Sequence, residues 1–264
     1  MNKTELLNRA AGGDSDLRVL LSRVLDKMEL AQRRNVPAQT GFLSPAERAA
    51  TEDLMAACGH PRHVFAGGHE GAERTVCAFL PDWQEEADWA EEETIAAMEC
   101  VFPKGAALSH RDMLGALMGL GLTREKIGDI LMGEGQAQVI TLQETLPILL
   151  SQLNQAGRYP LKCREISLHE LTVKPPEVKN VRDTVATLRM DAVAASGFSI
   201  GRGKAASLIQ AGKIQLNHRE CVKPDKTVAA GDVLSCRGMG KCVVKEILGE
   251  SRKGRIMILI ERYV

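Results

Sequence analysis

Along the first sixty residues, apolar side chains recur every three or four positions. Leu6 and Leu7, then Leu17, Leu20, Leu21, Val24, Leu25 and Met28, trace the stripe that a helix buries. Asp14 or Ser15 can cap the second of these helices by accepting from its free backbone N–H groups. Ser44-Pro45-Ala46-Glu47 predicts another start: a capping Ser, a proline where no donor is needed, and a glutamate three residues after the Ser. Ala49, Ala50, Leu54, Met55 and Ala57 carry its apolar side to Gly59 and Pro61, which end it. Residues 1–64 thus read as a helical packing or interaction module without chemistry of its own.

The period changes after residue 62. Residues 74–80 are β-rich and closed by Pro81-Asp82, and 95–102 read as the next strand. Ser109 opens a helix with Met113, Leu114, Leu117, Met118 and Leu120 on its apolar side and Gly121 as its stop. Thr123 starts a further turn toward 127–131. Residues 138–142 read as a strand, 144–156 as a helix broken near Pro147, and 161–166 as a last strand. Strands interleaved with two helices predict a small α+β sandwich over 65–170, ferredoxin- or RRM-like.

Residues 171–181, with Pro175-Pro176 inside, predict an extended linker, because successive prolines cannot donate to a ladder. Beyond it, Val185, Leu188, Ala192 and Ala195 predict one face of a helix that stops at Gly197. Ser199 is placed to cap a second helix, whose stripe is Ala205, Leu208 and Ile209 and whose end is Gly212. Residues 213–219 read as strand and turn. Further strands are predicted over 233–237, 243–248 and 256–260, broken at Gly238-Met239-Gly240 and at the basic turn 251–254. Two helices followed by a mostly antiparallel sheet over 182–264 complete a chain of the α+β class.

Composition adds bounds. The 264 residues suffice for one large domain or two to three small ones, and 44% hydrophobic with 26% charged residues is ordinary for a globular chain. No apolar run reaches the roughly 18–20 residues of a spanning helix, and the N-terminus lacks the apolar stretch of a secretory signal. Seven cysteines (58, 77, 100, 163, 221, 236 and 242) show no paired spacing and predict reduced thiols. A cytoplasmic protein without membrane contact is expected. The net charge of zero hides a division: residues 178–264 hold sixteen Lys and Arg against eight Asp and Glu. The tail is therefore +8 and the remainder −8, and the switch coincides with the proline linker. Such a tail predicts an anionic partner.

Candidate chemistry sits in that tail. In Ser199-Ile-Gly-Arg-Gly-Lys-Ala-Ala206, Arg202 and Lys204 occupy the first turn of a helix, where cations are mildly unfavourable. Free N–H groups and cations converging on an external phosphate would reverse that sign. Gly201 and Gly203 would let a nucleic-acid backbone approach closely. The spacing is not a nucleotide loop, because it follows a helix and Lys204 is followed by Ala205.

Leu188-Arg-Met-Asp-Ala-Val, Arg202-x-Lys-Ala, Leu208-Ile-Gln-Ala-Gly-Lys-Ile-Gln-Leu-Asn217, Ala230-Gly-Asp-Val-Leu-Ser and Arg237-Gly together resemble the RNA-binding domain named after small-subunit ribosomal protein S-four, the alpha-L motif. The resemblance spans about 60 residues in order. It implies binding of structured RNA through Arg189, Arg202, Lys204, Lys213, Asn217 and Arg237. Family members more often carry Ser at Gly201 and Gly203.

Upstream, Leu108-Ser-His-Arg-Asp-Met-Leu-Gly-Ala-Leu-Met-Gly-Leu-Gly121 with Arg124-Glu-Lys-Ile-Gly-Asp-Ile130 resembles the signature of the YlmH family. Its members carry the S-four type domain behind another RNA-binding domain. That resemblance implies association with the large ribosomal subunit, rRNA or tRNA as ligands, and ribosome-associated quality control. Arg111, Arg124 and Lys126 are then candidates for a second RNA surface. A monomer without cofactor is expected.

Other readings fail on residues. His110-Arg111-Asp112 lacks the Asn that a kinase loop needs five positions on, where Leu117 stands. Ser109 as cap and Asp112 near the helix dipole explain it better. Cys58, His60, His63, His69 and Cys77 lack the close ligand pairs of structural zinc, so no metal is expected. An RNA-modifying enzyme, either a pseudouridine synthase or a methyltransferase, would need a Gly-Arg-Leu-Asp type motif or a glycine-rich methyl-donor loop; neither occurs. Aromatics at 3% disfavour a base-stacking single-strand binder. A protein-interaction scaffold built on the acidic front stays open as a second activity.

Overall fold

The computed structural model describes residues 3–263, which divide between Lys174 and Pro175 into two compact units. The first begins with α1 (Lys3–Ala11) and α2 (Ser15–Arg34). Asp14 is the cap: its Oδ1 accepts from the N–H groups of Asp16 and Leu17 at 2.9 and 3.0 Å. There follow β1 (Ala38–Gln39), α3 (Pro45–Ala57), β2 (His63–Ala66) and β3 (Val76–Phe79), with strand order β1-β3-β2. The helix stripe of Leu21, Val24, Leu25 and Leu54 packs on Cys77 and Phe79. This sheet joins segments that lie on either side of residue 64.

Next come β4 (Ile95–Val101), α4 (His110–Gly119), β5 (Ile127–Met132), β6 (Gln136–Leu142) and α5 (Leu146–Gln152). A two-stranded hairpin, β7 (Gln155–Ala156) and β8 (Tyr159–Pro160), then leads to β9 (Lys162–Ile166). The four long strands pair antiparallel in the order β5-β6-β4-β9, a β-α-β-β-α-β arrangement. Alternation divides the faces. Met98, Cys100 and Val139 point toward Met113, Leu117 and Leu149 of the two helices. Ile95, Ile140 and Leu142 point the other way, into a cluster with Phe42 and Val76.

That second face is closed. Gln138 is 4% exposed; its Nε2 donates to the Glu170 carbonyl at 3.2 Å and its Oε1 accepts from Thr172 N–H at 2.7 Å. Gly128 admits Phe42, because a Cβ there would lie 2.8 Å from the ring. Two expectations need correction. The turn after Thr123 continues into β5 as a full strand, and Pro147 starts α5 rather than breaking a longer helix. A proline in the first turn removes an N–H that has no intrahelical partner anyway.

The second unit comprises β10 (Val178–Val185), α6 (Met190–Phe198), α7 (Arg202–Gln210), β11 (Ile214–Leu216), β12 (Arg219–Glu220), β13 (Val233–Cys236), β14 (Gly240–Glu250) and β15 (Ile256–Tyr263). One antiparallel sheet runs β10-β15-β14-β13-β11-β12. Ile258 and Ile260 of β15 meet Val193, Ala194 and Phe198 of α6 and Ala205 and Ile209 of α7 in one core.

Here too the sequence reading shifts. Residues 178–181 are strand, not linker, and Val185 is the end of that strand, not a helix position. Eight residues of β10 pair with β15, which outweighs the neighbouring prolines. The buried side of α6 is Met190, Val193, Ala194 and Phe198, one residue out of phase with the expected Ala192 and Ala195. Gly197 lies inside the helix and not at its stop, with a Cβ position only 2.6 Å from Cys242 Sγ. Ser199 does not cap α7. It ends α6 in the left-handed region at φ 55°, and Gly201 holds the N-cap position.

Candidate nucleic-acid interface

Residues 188–191 form the bend between β10 and α6, and backbone bonds fix it. Met190 N–H donates to the Lys226 carbonyl at 2.8 Å, Asp191 N–H to the Pro224 carbonyl at 2.9 Å, and Val228 N–H to the Leu188 carbonyl at 2.8 Å. The bend and the loop 224–228 are thereby one piece. The sequence causes the bend locally: Met190 and Val193 must turn inward while Arg189 and Asp191 flank them.

Asp191 is the buried member, with a side chain 6% exposed. Arg189 at the N-cap of α6 reaches it with both Nε and a terminal nitrogen, at 3.2 and 3.0 Å. Arg202, the first residue of α7, reaches the same carboxylate at 3.2 and 3.3 Å. Burial opposes ionisation of Asp191, but the hydrogen bonds and charges of Arg189 and Arg202 outweigh it and hold the carboxyl below the usual carboxylate range. Both guanidinium groups keep an outward side, at 40% and 53% exposure. Two cations on different helices are thus oriented by one carboxylate, whose remaining attraction is shared. Lys204 is exposed two residues further on.

The start of α7 adds to this. Gly201 offers no side-chain cap, and among the described residues no acidic side chain stands in the first turn. Its free N–H groups therefore face solvent beside Arg202 and Lys204. A Cβ at Gly201 or Gly203 would meet nothing within 4 Å, so the approach is open.

The other sequence candidates lie elsewhere. Lys213 follows the far end of α7, about 13 Å along the helix from Arg202. The pairing of Ile214 with Cys236 sets Lys213 near Arg237, both exposed. Asn217 is occupied within the fold: its Nδ2 donates to Asp232 Oδ1 and its Oδ1 accepts from Val233 N–H, both at 2.8 Å, at a left-handed turn with φ 51°. Sequence reasoning missed Asp191 as the organiser and the exposed Lys226 of the tethered loop; the Arg-Met-Asp triplet held the signal for the first.

In the first unit, Arg111 is exposed in the first turn of α4, whose cap is Ser109, with Asp112 returning the bond to Ser109 N–H at 2.9 Å. Arg124 is half-buried and donates to the carbonyls of Ile127 and Gly128 at 3.1 and 3.2 Å; burial lowers its pKa, opposed by Asp129. Lys126 pairs with Glu144. Arg124 and Lys126 line a cleft of about 1130 Å³ together with Arg23, Lys27 and Arg74, but its Glu47, Glu93, Glu125 and Glu144 offset all but one of these charges. Arg111 is not among the residues lining that cleft. Among the described residues no cluster of His, Cys, Asp or Glu is arranged for a metal ion, and no helix is long and apolar enough to cross a membrane.

Comparison with known proteins adds three findings. Residues 90–170, from β4 to β9, match the family described as "Putative RNA-binding domain in YlmH". The chain is 34% identical over 251 residues to the "Ribosome-associated protein quality control protein P2" of Bacillus subtilis (strain 168), covering 94% of this chain and 95% of that one. It is also similar to the solved "Cell division protein ylmH from Streptococcus pneumoniae", at a TM-score of 0.48 and 24% identity, over 60% of this chain and 94% of that one.

Proposed function

The chain belongs to the YlmH family, and from that premise we propose that it is a non-catalytic RNA-binding factor of ribosome-associated quality control. Its second unit acts as an S-four type, alpha-L, RNA-binding domain that holds structured rRNA or tRNA on the large ribosomal subunit. The protein works as a cytoplasmic monomer. The observation that carries this reading is the shared clamp on Asp191, which presents Arg189 and Arg202 together beside the uncapped start of α7. Phosphate contacts of this kind position a protein on RNA without reading base identity.

The name of the Bacillus relative supports the quality-control setting, and the family description supports RNA as ligand. The β-α-β-β-α-β succession of the central segment supports reading it as ferredoxin- or RRM-like. An RRM stacks bases on the outer face of its sheet. Here that face is covered by Phe42, Val76 and residues 168–172, to which Gln138 of the sheet is bonded, so any RNA contact of this unit runs through other surfaces. Crosslinking the full chain to RNA in cells and sequencing the bound fragments tests the proposal. Large-subunit rRNA or tRNA is expected at the crosslinks of residues 189–204; crosslinks confined to messenger RNA, or none in this segment, would overturn it.

A further inference from the structure

Cys100 on β4 and Cys163 on β9 are register partners across the central sheet, and their sulfurs lie 3.1 Å apart. Both are free thiols. They are separated by 62 residues of sequence, which hid the pair from any spacing argument. Cys100 is fully buried and Cys163 half-buried, so a small reagent reaches Cys163 first.

We propose that Cys100 and Cys163 are a redox modification site that closes to a reversible disulfide on reaction with a hydroperoxide. The geometry supplies the reach. Directly opposed residues of an antiparallel pair have Cβ atoms about 4.5–5.5 Å apart, against about 3.5–4.5 Å in a disulfide. The difference is within the give of β9, an edge strand that pairs only with β4 among the described strands.

The chemistry divides by burial. The Cys163 thiol lies toward Cys100 Sγ; it loses its proton more readily than a free thiol because its thiolate can accept a hydrogen bond from Cys100, while burial opposes this, and Cys100 is pushed up by the same interaction and by burial. The Leu153 carbonyl, 3.2 Å from Cys163 Sγ, accepts from the protonated form. The Cys163 thiolate attacks hydrogen peroxide, forming an S–O bond as the O–O bond breaks, and the departing hydroxide takes up the proton that Cys163 released and becomes water. Cys100 then attacks the sulfenic sulfur, giving up its proton, and a second water leaves as the S–S bond forms. The two thiols supply the two electrons that reduce the peroxide. A dithiol reverses the step by exchange. The linkage would staple β9 to β4 in the segment that matches the RNA-binding family, and it does not depend on the function proposed above.

The test uses the full chain under hydrogen peroxide at limiting excess, followed by alkylation of remaining thiols, proteolysis and mass spectrometry. A Cys100–Cys163 linked peptide, lighter by two hydrogens and abolished by dithiothreitol, is expected to accumulate before oxidation appears at Cys58 or Cys221. In Cys100→Ser, Cys163 should stop at a sulfenic acid that dimedone traps; in Cys163→Ser, Cys100 should remain a thiol. Oxidation of Cys58 or Cys221 ahead of the pair, or Cys163 passing to sulfinic acid in the unaltered chain while Cys100 stays alkylatable, would overturn the assignment.

Discussion

Asp191 receives Arg202 at 3.2 Å across the gap between two helices while its backbone N–H is tied to the Pro224 carbonyl. The carboxylate is buried and the arginine half-exposed, so the pair orients the cation, and it adds to stability only what pairing returns beyond the cost of burying the carboxylate. Taking a carboxylate out of water costs much of what its partners return.

Asp191→Asn separates orientation from charge. Removing the carboxylate adds one net positive charge beside the RNA, which favours binding at low salt. Freeing two arginine side chains costs about 0.5–1.5 kcal/mol each in ordering on binding. The affinity of the variant is therefore expected to match or exceed the unaltered chain at low salt and to fall about tenfold below it at high salt. Superimposable salt titrations of the two proteins would contradict an orienting role.

The same carboxylate sets an acid limb. Its folded pKa is depressed, so its contribution is fully present above the unfolded value of about 3.9 and is lost as pH falls through the folded value below it. Thermal midpoints of a fragment of residues 175–264 should fall more steeply below about pH 4 with Asp191 than with Asn in its place. Equal acid limbs would show that the pairing is not formed.

Three glycines make opposite predictions. Gly203 lies in the first turn of α7 with open space around its missing Cβ, so Gly203→Ala should stabilise by up to about 1 kcal/mol. Gly197→Ala would press a methyl group to 2.6 Å from Cys242 Sγ and should destabilise by about 1–3 kcal/mol. Gly128→Ala should do likewise through the Phe42 ring. Chemical denaturation of each variant decides.

The α+β class, the caps at Asp14, Ser44 and Ser109, and the stripe Ala205–Ile209 were legible because each is a local signal of period or side-chain type. The strand over 178–185 was not, because what makes it a strand is β15, whose paired residues lie 71 to 85 positions further along the chain. Within the candidate interface, the cations at 189, 202 and 204 could be named from type and position. Their grouping could not: Lys213 joins Arg237 through a strand register, Asn217 is spent on Asp232 and Val233, and Asp191 binds two arginines from different helices. Sequence reasoning on the helix dipole alone favours Glu at 202. The structure reverses this, since Arg202→Glu would set a second carboxylate against buried Asp191.

The central claim is that the Arg189–Arg202–Lys204 face of the second unit holds RNA by its phosphates. A salt titration of the full chain on a structured rRNA hairpin tests it most directly, with Arg202→Gln and Lys204→Gln combined and Arg111→Gln as a comparison, alongside thermal unfolding. Neutralising one phosphate-binding cation lowers the log–log salt slope by about one unit. The double variant is expected to unfold nearly as the unaltered chain does, to bind every RNA more weakly and to show a slope smaller by about two units. Unchanged affinity and slope in a natively unfolding double variant would contradict the account.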